Sequence, residues 1–182
     1  MSLSSGSGNP VRVHLFRGRA DGTLDAKTTF DTHLTIAPHA STRVHDGALE
    51  ILIGDRSGRL SILRIATGGV GVTTLEAGPG IDLSAIFADV NGDGHADIVD
   101  TNDGDSGESP FEWIFVTLAK PDGGFLERRQ LQRPRKLAFP SELHAGDFDG
   151  DGRLDVVTAN NDRTVSVILN GGRCARRRAV RH

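Results

Sequence analysis

The sequence has few of the features that would hold a small protein together covalently or place it in a membrane. It contains one cysteine, Cys174, so no disulfide bond can form within the chain. No apolar run approaches the roughly 18 residues of a membrane-spanning helix, which argues against membrane insertion. Tyrosine is absent, and this weakens a sugar-binding interpretation because sugar sites depend on exposed aromatic rings. The 182 residues are nevertheless enough for one domain with its own core.

Segments with helical periodicity are also almost absent. Short runs rich in β-branched residues alternate with turns, and the chain has 23 glycines. This pattern predicts an all-β fold of short antiparallel strands. Nucleophile motifs such as Gly-x-Ser-x-Gly are missing, and the seven histidines show no metal-binding spacing. No recognisable catalytic set is therefore present in the sequence.

Negative charge predominates outside the end of the chain. The net charge is −3 at pH 7, but residues 173–182 hold five arginines and no acid, which leaves −8 for the rest. An acidic body argues against nucleic acid as the main partner. The arginine-rich tail either contacts an anionic surface or is a disordered end. The first eight residues lack the basic and apolar regions of a signal peptide and are typical of a flexible leader.

One acidic stretch, residues 147–155, has the spacing of a cation-binding loop. Four aspartates fall at loop positions 1, 3, 5 and 9, and Gly152 at position 6 permits a sharp turn. Position 7, Arg153, would contribute only its backbone carbonyl. Hard cations such as Ca²⁺ take about six to eight oxygen ligands, which alternating carboxylates supply. The alternative is an Asp/Gly-rich surface turn without a metal.

The acidic stretch belongs to an internal repeat. Asp89 and Asp147 begin two complete loops that lie 58 residues apart. A degenerate third copy at residues 42–50 has Thr42 and Val44 at positions 1 and 3. Strand-like segments come after every copy at similar distances. A period of about 45–60 residues with about four strands per unit predicts the blades of a β-propeller.

The loops and the strands around them resemble a known family. The segments Asp-Val-Asn-Gly-Asp-Gly-His-Ala-Asp and Asp-Phe-Asp-Gly-Asp-Gly-Arg-Leu-Asp, within residues 88–99 and 146–159, are similar to FG-GAP repeats. These repeats are the units of integrin-α-like β-propellers and of the related VCBS repeats in bacterial secreted proteins. Residues 11–30 and 164–171 resemble the same family, so the resemblance covers most of residues 11–171.

The resemblance implies one structural Ca²⁺ ion in each complete loop. The implied ligands of the first ion are the side chains of Asp89, Asn91, Asp93 and Asp97 and the backbone carbonyl of His95. Those of the second are the side chains of Asp147, Asp149, Asp151 and Asp155 and the backbone carbonyl of Arg153. In the degenerate copy Thr42 and Val44 replace the first two ligands, so no tight calcium binding is expected there.

The resemblance also implies a domain organisation. Propeller-like blades of four antiparallel strands are expected within residues 11–171, between a leader at 1–10 and a tail at 172–182. The expected blade units lie near residues 11–32, 33–78, 81–132 and 141–171. The first unit is half a blade and the last lacks its final strand, so about three blades form an incomplete ring, whereas closed propellers have about four to eight. Open edges invite pairing, either with neighbouring blades of a longer chain or by self-association.

Other interpretations of single motifs remain open at this point. An EF-hand or dockerin has a similar loop, but an EF-hand needs a glutamate at position 12, where this chain has Asp100 and Thr158. Each loop is succeeded by a β-branched strand and not by a helix. The acidic insert at residues 102–108 is either a second cation site or a solvated loop. Trp113 either stacks on a sugar or packs within a blade.

Together with the acidic loops, the resemblance implies a non-catalytic binding or adhesion scaffold, stabilised by calcium, in an extracellular protein. Its ligand would be a protein or a glycan whose identity the sequence does not give, because propeller specificity lies in variable loops. The alternative is the propeller portion of a secreted carbohydrate-active enzyme such as a lyase, a dehydratase or a hydrolase.

Overall fold

The computed structural model is built from strands and turns throughout the part of the chain that it describes. The described residues are 12–31, 40–54, 59–66, 69–76, 82–102, 113–131, 140–160 and 162–171. The expected leader and tail, most of the acidic insert and the side chain of Trp113 lie outside them. The strands are β1 (Arg12–Leu15), β2 (Thr28–Asp31), β3 (Ala40–His45), β4 (Ala48–Gly54), β5 (Arg59–Ala66), β6 (Gly69–Glu76), β7 (Asp82–Ala88), β8 (Asp97–Asn102), β9 (Trp113–Thr117), β10 (Arg129–Gln130), β11 (Pro140–Gly146), β12 (Asp155–Asn160) and β13 (Val165–Ile168).

The strands form four antiparallel sheets in chain order. We call β3-β4-β5-β6 the first blade, β7-β8-β9-β10 the second blade and β11-β12-β13 the third blade, and β1-β2 is a separate two-stranded sheet. Every strand pairs with its neighbour in sequence, as expected for blades of a propeller. The prediction of an all-β fold with about three blades in an incomplete ring is confirmed.

The β1-β2 hairpin has the form of the outer half of a blade. Its turn is closed by a 2.8 Å hydrogen bond from Arg19 N to the Thr23 carbonyl. The turn between β9 and β10 has the equivalent bond, from Lys120 N to the Gly124 carbonyl, also at 2.8 Å. The hairpin therefore matches the turn that joins the third and fourth strands of the second blade, and its place as half of a further blade stays a prediction.

The apolar core lies between the blades. One cluster joins the first blade to the second and contains Leu52, Leu60, Ile62, Ala85 and Ile98. The other joins the second blade to the third and contains Ala88, Val99, Ile114, Leu143 and Val156. The same side of the first blade and of the second blade thus packs against the first two strands of the next blade in the chain.

The degenerate copy of the repeat differs from its predicted form. Thr42 and Val44 lie within β3, and β3 joins β4 through the two-residue turn Asp46-Gly47. Both turn residues have positive φ, 48° and 69°, as a tight hairpin turn of this kind requires. The alignment that placed Thr42 and Val44 at loop positions 1 and 3 was therefore wrong, because this unit contains no loop between its first two strands.

Candidate metal centre

Two loops join the first strand to the second strand in the second and third blades. We call residues 89–97 the second-blade loop and residues 147–155 the third-blade loop. The loops follow β7 and β11, which are the first strands of their blades. Their last residues, Asp97 and Asp155, begin the second strands, β8 and β12. The repeat therefore places both predicted ligand sets at the same end of their blades.

The first aspartate of each loop organises the backbone around it. Asp89 Oδ1 accepts hydrogen bonds from Gly92 N at 2.8 Å and Asp93 N at 3.1 Å, and Asp89 Oδ2 accepts one from Gly94 N at 2.8 Å. In the third-blade loop Asp147 accepts the same three bonds at 2.7, 3.1 and 2.9 Å. The two loops thus repeat one hydrogen-bond pattern to within 0.1 Å at this position.

Glycine is required at two places in this pattern. Gly92 and Gly94 have φ of 75° and 86°, and Gly150 and Gly152 have φ of 78° and 86°. Residues other than glycine rarely adopt this backbone conformation without strain. The sequence predicted the glycine at position 6 but not the one at position 4, although each loop shows a visible signal there, Asn-Gly or Asp-Gly followed directly by Asp-Gly.

The side chains at positions 3 and 5 turn back onto the same loop. Asn91 Oδ1 accepts from Asp93 N at 2.9 Å, and Asp93 Oδ1 accepts from His95 N at 2.9 Å. The His95 N–H and the Asn91 side chain both lower the pKa of Asp93. The carboxylate remains charged over a wider pH range, as a cation ligand should.

The third-blade loop repeats this arrangement with a different charge distribution. Carboxylate oxygens of Asp147, Asp149 and Asp151 lie within 4.8 Å of one another, and all three residues are exposed. Arg153 forms an ion pair with Asp151 and donates from Nε to the Asn170 carbonyl at 2.7 Å. The arginine offsets part of the negative charge without separating the cluster.

The aspartate at position 9 is fully buried in both loops. Asp97 accepts from Val90 N at 3.1 Å and from Ala119 N at 2.8 Å, which connects the loop to the end of β9. Asp155 makes the equivalent bonds with Phe148 N at 2.9 Å and Asn170 N at 2.7 Å. Each carboxylate oxygen has a second lone pair, so these bonds do not prevent contact with an ion.

The two buried aspartates differ in their pKa shifts. Burial raises the pKa of Asp97, and the nearby charges of Asp93 and Asp89 raise it further. The N–H groups of Asn170 and Phe148 lower the pKa of Asp155. A cation in the second-blade loop would counter the raised pKa of Asp97 by favouring its charged form.

Residues outside the loops hold the carbonyl at position 8. Arg43 Nη1 donates to the Ala96 carbonyl at 2.6 Å. Asn170 Nδ2 donates to the Leu154 carbonyl at 3.1 Å and to the Val90 carbonyl at 2.6 Å, which connects the third-blade loop to the second-blade loop. Neither Arg43 nor Asn170 was predicted from the sequence.

In the first blade, arginine side chains contact the buried carboxylate at position 9, whereas in the other blades this carboxylate closes an acidic loop. Glu50 occupies position 9 of the repeat and is buried. Arg43 Nε donates to Glu50 Oε2 at 2.7 Å, and Arg64 Nη1 donates to Oε1 at 2.6 Å. Burial raises the pKa of Glu50, but the two arginines outweigh burial and the net shift is downward.

Comparison with family models agrees with this geometry. A model described as an FG-GAP-like repeat matches residues 45–99, and one described as an FG-GAP repeat matches residues 139–169. The chain is an FG-GAP repeat protein. The first FG-GAP match runs from the β3-β4 turn through the second-blade loop, and the second covers all three strands of the third blade. No protein in the curated set matches the chain.

The family assignment bears on the compartment in which such proteins are found. FG-GAP repeats are typical of extracellular proteins. Within the described ranges, no helix is long and apolar enough to cross a membrane.

The residues of both FG-GAP loops fit a hard cation. Every side chain at positions 1, 3, 5 and 9 offers an oxygen, and none offers sulfur or an imidazole nitrogen. Ca²⁺ prefers such a donor set, whereas Zn²⁺ favours cysteine and histidine. The carbonyls of His95 and Arg153 stay predicted ligands.

Proposed function

We propose that this FG-GAP module binds two Ca²⁺ ions, one in each acidic loop, and serves as a non-catalytic binding or adhesion scaffold of an extracellular protein. The observation that carries the calcium proposal is the repeated backbone pattern that gathers the acidic side chains. Asp147, Asp149 and Asp151 converge without a matching number of positive groups. Such a cluster is costly unless a cation or solvent offsets its repulsion.

The proposed role of calcium is structural. The ion would be held by residues of the loop between the first two strands of a blade, while Asp97 and Asp155 connect that loop to the third strand. With free calcium of about 1 mM and a Kd of about 0.1 mM, linkage gives about 1.4 kcal/mol per site. Sites of this affinity would be filled outside cells and empty at cytosolic calcium, so the proposed role of calcium goes together with an extracellular setting.

The buried carboxylates support a scaffold without catalysis. Asp100 is fully buried, and its pKa is raised by burial, a state that often marks an active-site acid. Here, however, Arg128 Nε donates to Asp100 Oδ1 at 3.2 Å, and the guanidinium also lies over the Phe115 ring at 3.5 Å. This use of the carboxylate supports a structural role, because it joins β8 to the segment before β10 in the same blade.

A thermal denaturation series tests the calcium proposal. For the full chain, we expect 1 mM CaCl₂ to raise the Tm by about 6–10 °C over EDTA, from about 1.4 kcal/mol at each of two sites. Asp149→Ala should remove about half of that rise and reduce the stoichiometry in calorimetric titration from two ions to one.

Asp162→Ala is the matched control for Asp149→Ala. Asp162 is also an exposed aspartate that accepts a hydrogen bond from a backbone N–H two residues later, Thr164 N, but it lies outside both loops. The control should keep the full calcium response. An identical Tm in EDTA and in millimolar calcium would show that calcium has no structural role.

A further inference from the structure

The outer side of the third blade repeats a surface that is buried in the other two blades. Strand register defines the equivalent positions, since Val157 pairs with Val167 as Val99 pairs with Val116 and Leu52 pairs with Ile62. We call this surface the third-blade outer face. It contains Val157, Ala159, Val165, Val167 and Leu169.

The exposure of equivalent residues separates the third blade from the others. In β5 Leu60 is 1% exposed and in β9 Ile114 is 3% exposed, whereas the equivalent Val165 in β13 is 68% exposed. Val167 and Leu169 are also about half exposed, at 52% and 54%. Apolar residues exposed in a contiguous strand mark a surface that normally has a partner.

The chain itself shows twice what covers such a surface. Leu60 and Ile62 of the first blade pack against Ala85 of β7 and Ile98 of β8. In the next junction, Ile114 packs against Leu143 of β11 and Val156 of β12. The expected occupant of the third-blade outer face is therefore the first two strands of another FG-GAP blade.

The first two strands of the first blade have a side that is open at one end and suits this role, while Ile53 on the same side of β4 is buried at 5% exposure. Ile51 of β4 has the register position of Ile98 and Val156, and it is only half-buried. Thr42, which pairs with Ile51, and the neighbouring Val44 are exposed, Val44 by 77%. We call Thr42, Val44 and Ile51 the first-blade inner face. The rest of that side is closed, since Leu63 in β5 is fully buried.

We propose that two copies of this chain pack head to tail, with the third-blade outer face of each copy on the first-blade inner face of the other. The contact would continue the two blade junctions already present within one chain. Two copies bring six blades of the described part of the chain into a ring, within the range of about four to eight for closed propellers, whereas three copies would bring nine; the β1-β2 hairpin of each copy is not counted among them. A ring of two closes by twofold symmetry, so the same junction forms twice.

Sedimentation velocity of the full chain in 1 mM CaCl₂ tests the proposal over 1–100 μM. The chain should sediment with twice its monomer mass of 19.4 kDa. Val167→Lys on the third-blade outer face should raise the dimer Kd at least tenfold, because the junction would bury an unpaired charge. Thr42→Lys on the first-blade inner face should have the same effect. Both side chains are exposed in the monomer, so circular dichroism should be unchanged.

Leu126→Lys is the matched control, since Leu126 is an exposed apolar residue, at 46%, between β9 and β10 of the second blade, which packs against other blades of its own chain on both sides. It should leave the dimer intact. Mixing Val167→Lys with Thr42→Lys should restore a heterodimer with one intact junction. A monomer at 100 μM, or a dimer insensitive to Val167→Lys, would overturn the proposal. A dimer lost with Val167→Lys but kept with Thr42→Lys would indicate face-to-face packing instead and would also overturn it.

Discussion

The first blade and the two later blades place a buried carboxylate at the same point, position 9 of the repeat, but surround it differently. Glu50 is contacted by the guanidinium groups of Arg43 and Arg64. Asp97 and Asp155 each accept two backbone N–H groups and close an acidic loop. The blade fold therefore requires a compensated carboxylate at this point but does not require a particular source of positive charge.

The two acidic loops differ from each other in a smaller way. The side chains of residues 89–97 carry three aspartates, and those of residues 147–155 carry four aspartates and Arg153, so each loop has a formal net charge of −3. The substitution of Asp149 for Asn91 at position 3 is thus accompanied by an arginine at position 7. The backbone pattern is kept while the charges are rearranged.

Removing the Arg43 guanidinium from the first blade should cause the largest loss in the free energy of unfolding. Arg43→Ala deletes the bonds to Glu50 and to the Ala96 carbonyl and the contact with the Phe87 ring, whose centroid is 4.4 Å away. We expect a loss of about 3–5 kcal/mol in the free energy of unfolding, because a buried charge loses its principal partner. Urea denaturation in EDTA measures this loss without a calcium contribution.

Arg19→Ala is the control for the Arg43 variant. Arg19 pairs with Asp25 on the surface, where the two side chains are 58% and 40% exposed. An exposed pair of this kind contributes about 0–1 kcal/mol. If Arg43→Ala and Arg19→Ala lose the same free energy of unfolding, the stability of the first blade does not depend on the Arg43 guanidinium.

The charge of Glu50 itself should give an intermediate, pH-dependent effect. The lowered pKa means that its contribution is present above the ordinary glutamate value of 4.5 and disappears as the pH falls through the folded-state pKa. Glu50→Gln should therefore cost about 2 kcal/mol at pH 7 and progressively less toward pH 3. Denaturant titrations of both proteins across this range measure the difference, and a difference independent of pH would contradict it.

Exchanging the residues at position 3 of the two loops should have the smallest effect, a change in calcium affinity that tests how the charge distribution of each loop matters. Calcium affinity rises with the number of charged ligands. Asn91→Asp should tighten the second-blade loop, and Asp149→Asn should weaken the third-blade loop, each by on the order of tenfold in Kd, which is about 1.4 kcal/mol. Calorimetric titration of both variants resolves the two sites. Changes in the same direction would show that charge at position 3 does not set affinity.

The acidic loops could be predicted from the sequence because their hydrogen bonds are local. Asp89 and Asp147 bond to backbone groups three to five residues later, so spacing alone contains the information. The family and the blade architecture were predicted from the repeat of that spacing. Both predictions are confirmed by the family matches and by the sheets.

The contacts that the sequence did not show join distant residues. Arg43 reaches Ala96 across 53 residues, and Asn170 reaches Val90 across 80 residues. The misplacement of Thr42 and Val44 had a different cause, since a fixed offset was applied to a unit in which a two-residue turn replaces the loop. The two long-range pairs, Arg43 with Ala96 and Asn170 with Val90, meet only because neighbouring blades pack together in the fold.

Arg43 is covalently part of the chain, so the positive charge that it provides cannot be diluted, chelated or exchanged. If the acidic loops bind Ca²⁺ as proposed, the junction between the first and second blades should therefore keep its order when free calcium falls. Unfolding in a calcium-poor medium should begin at the third blade, and the first blade should remain as a template on which the others rebuild when the ion returns. Hydrogen exchange in EDTA would detect this as protection of Leu52 and Leu63 that outlasts protection of Val156 and Val157.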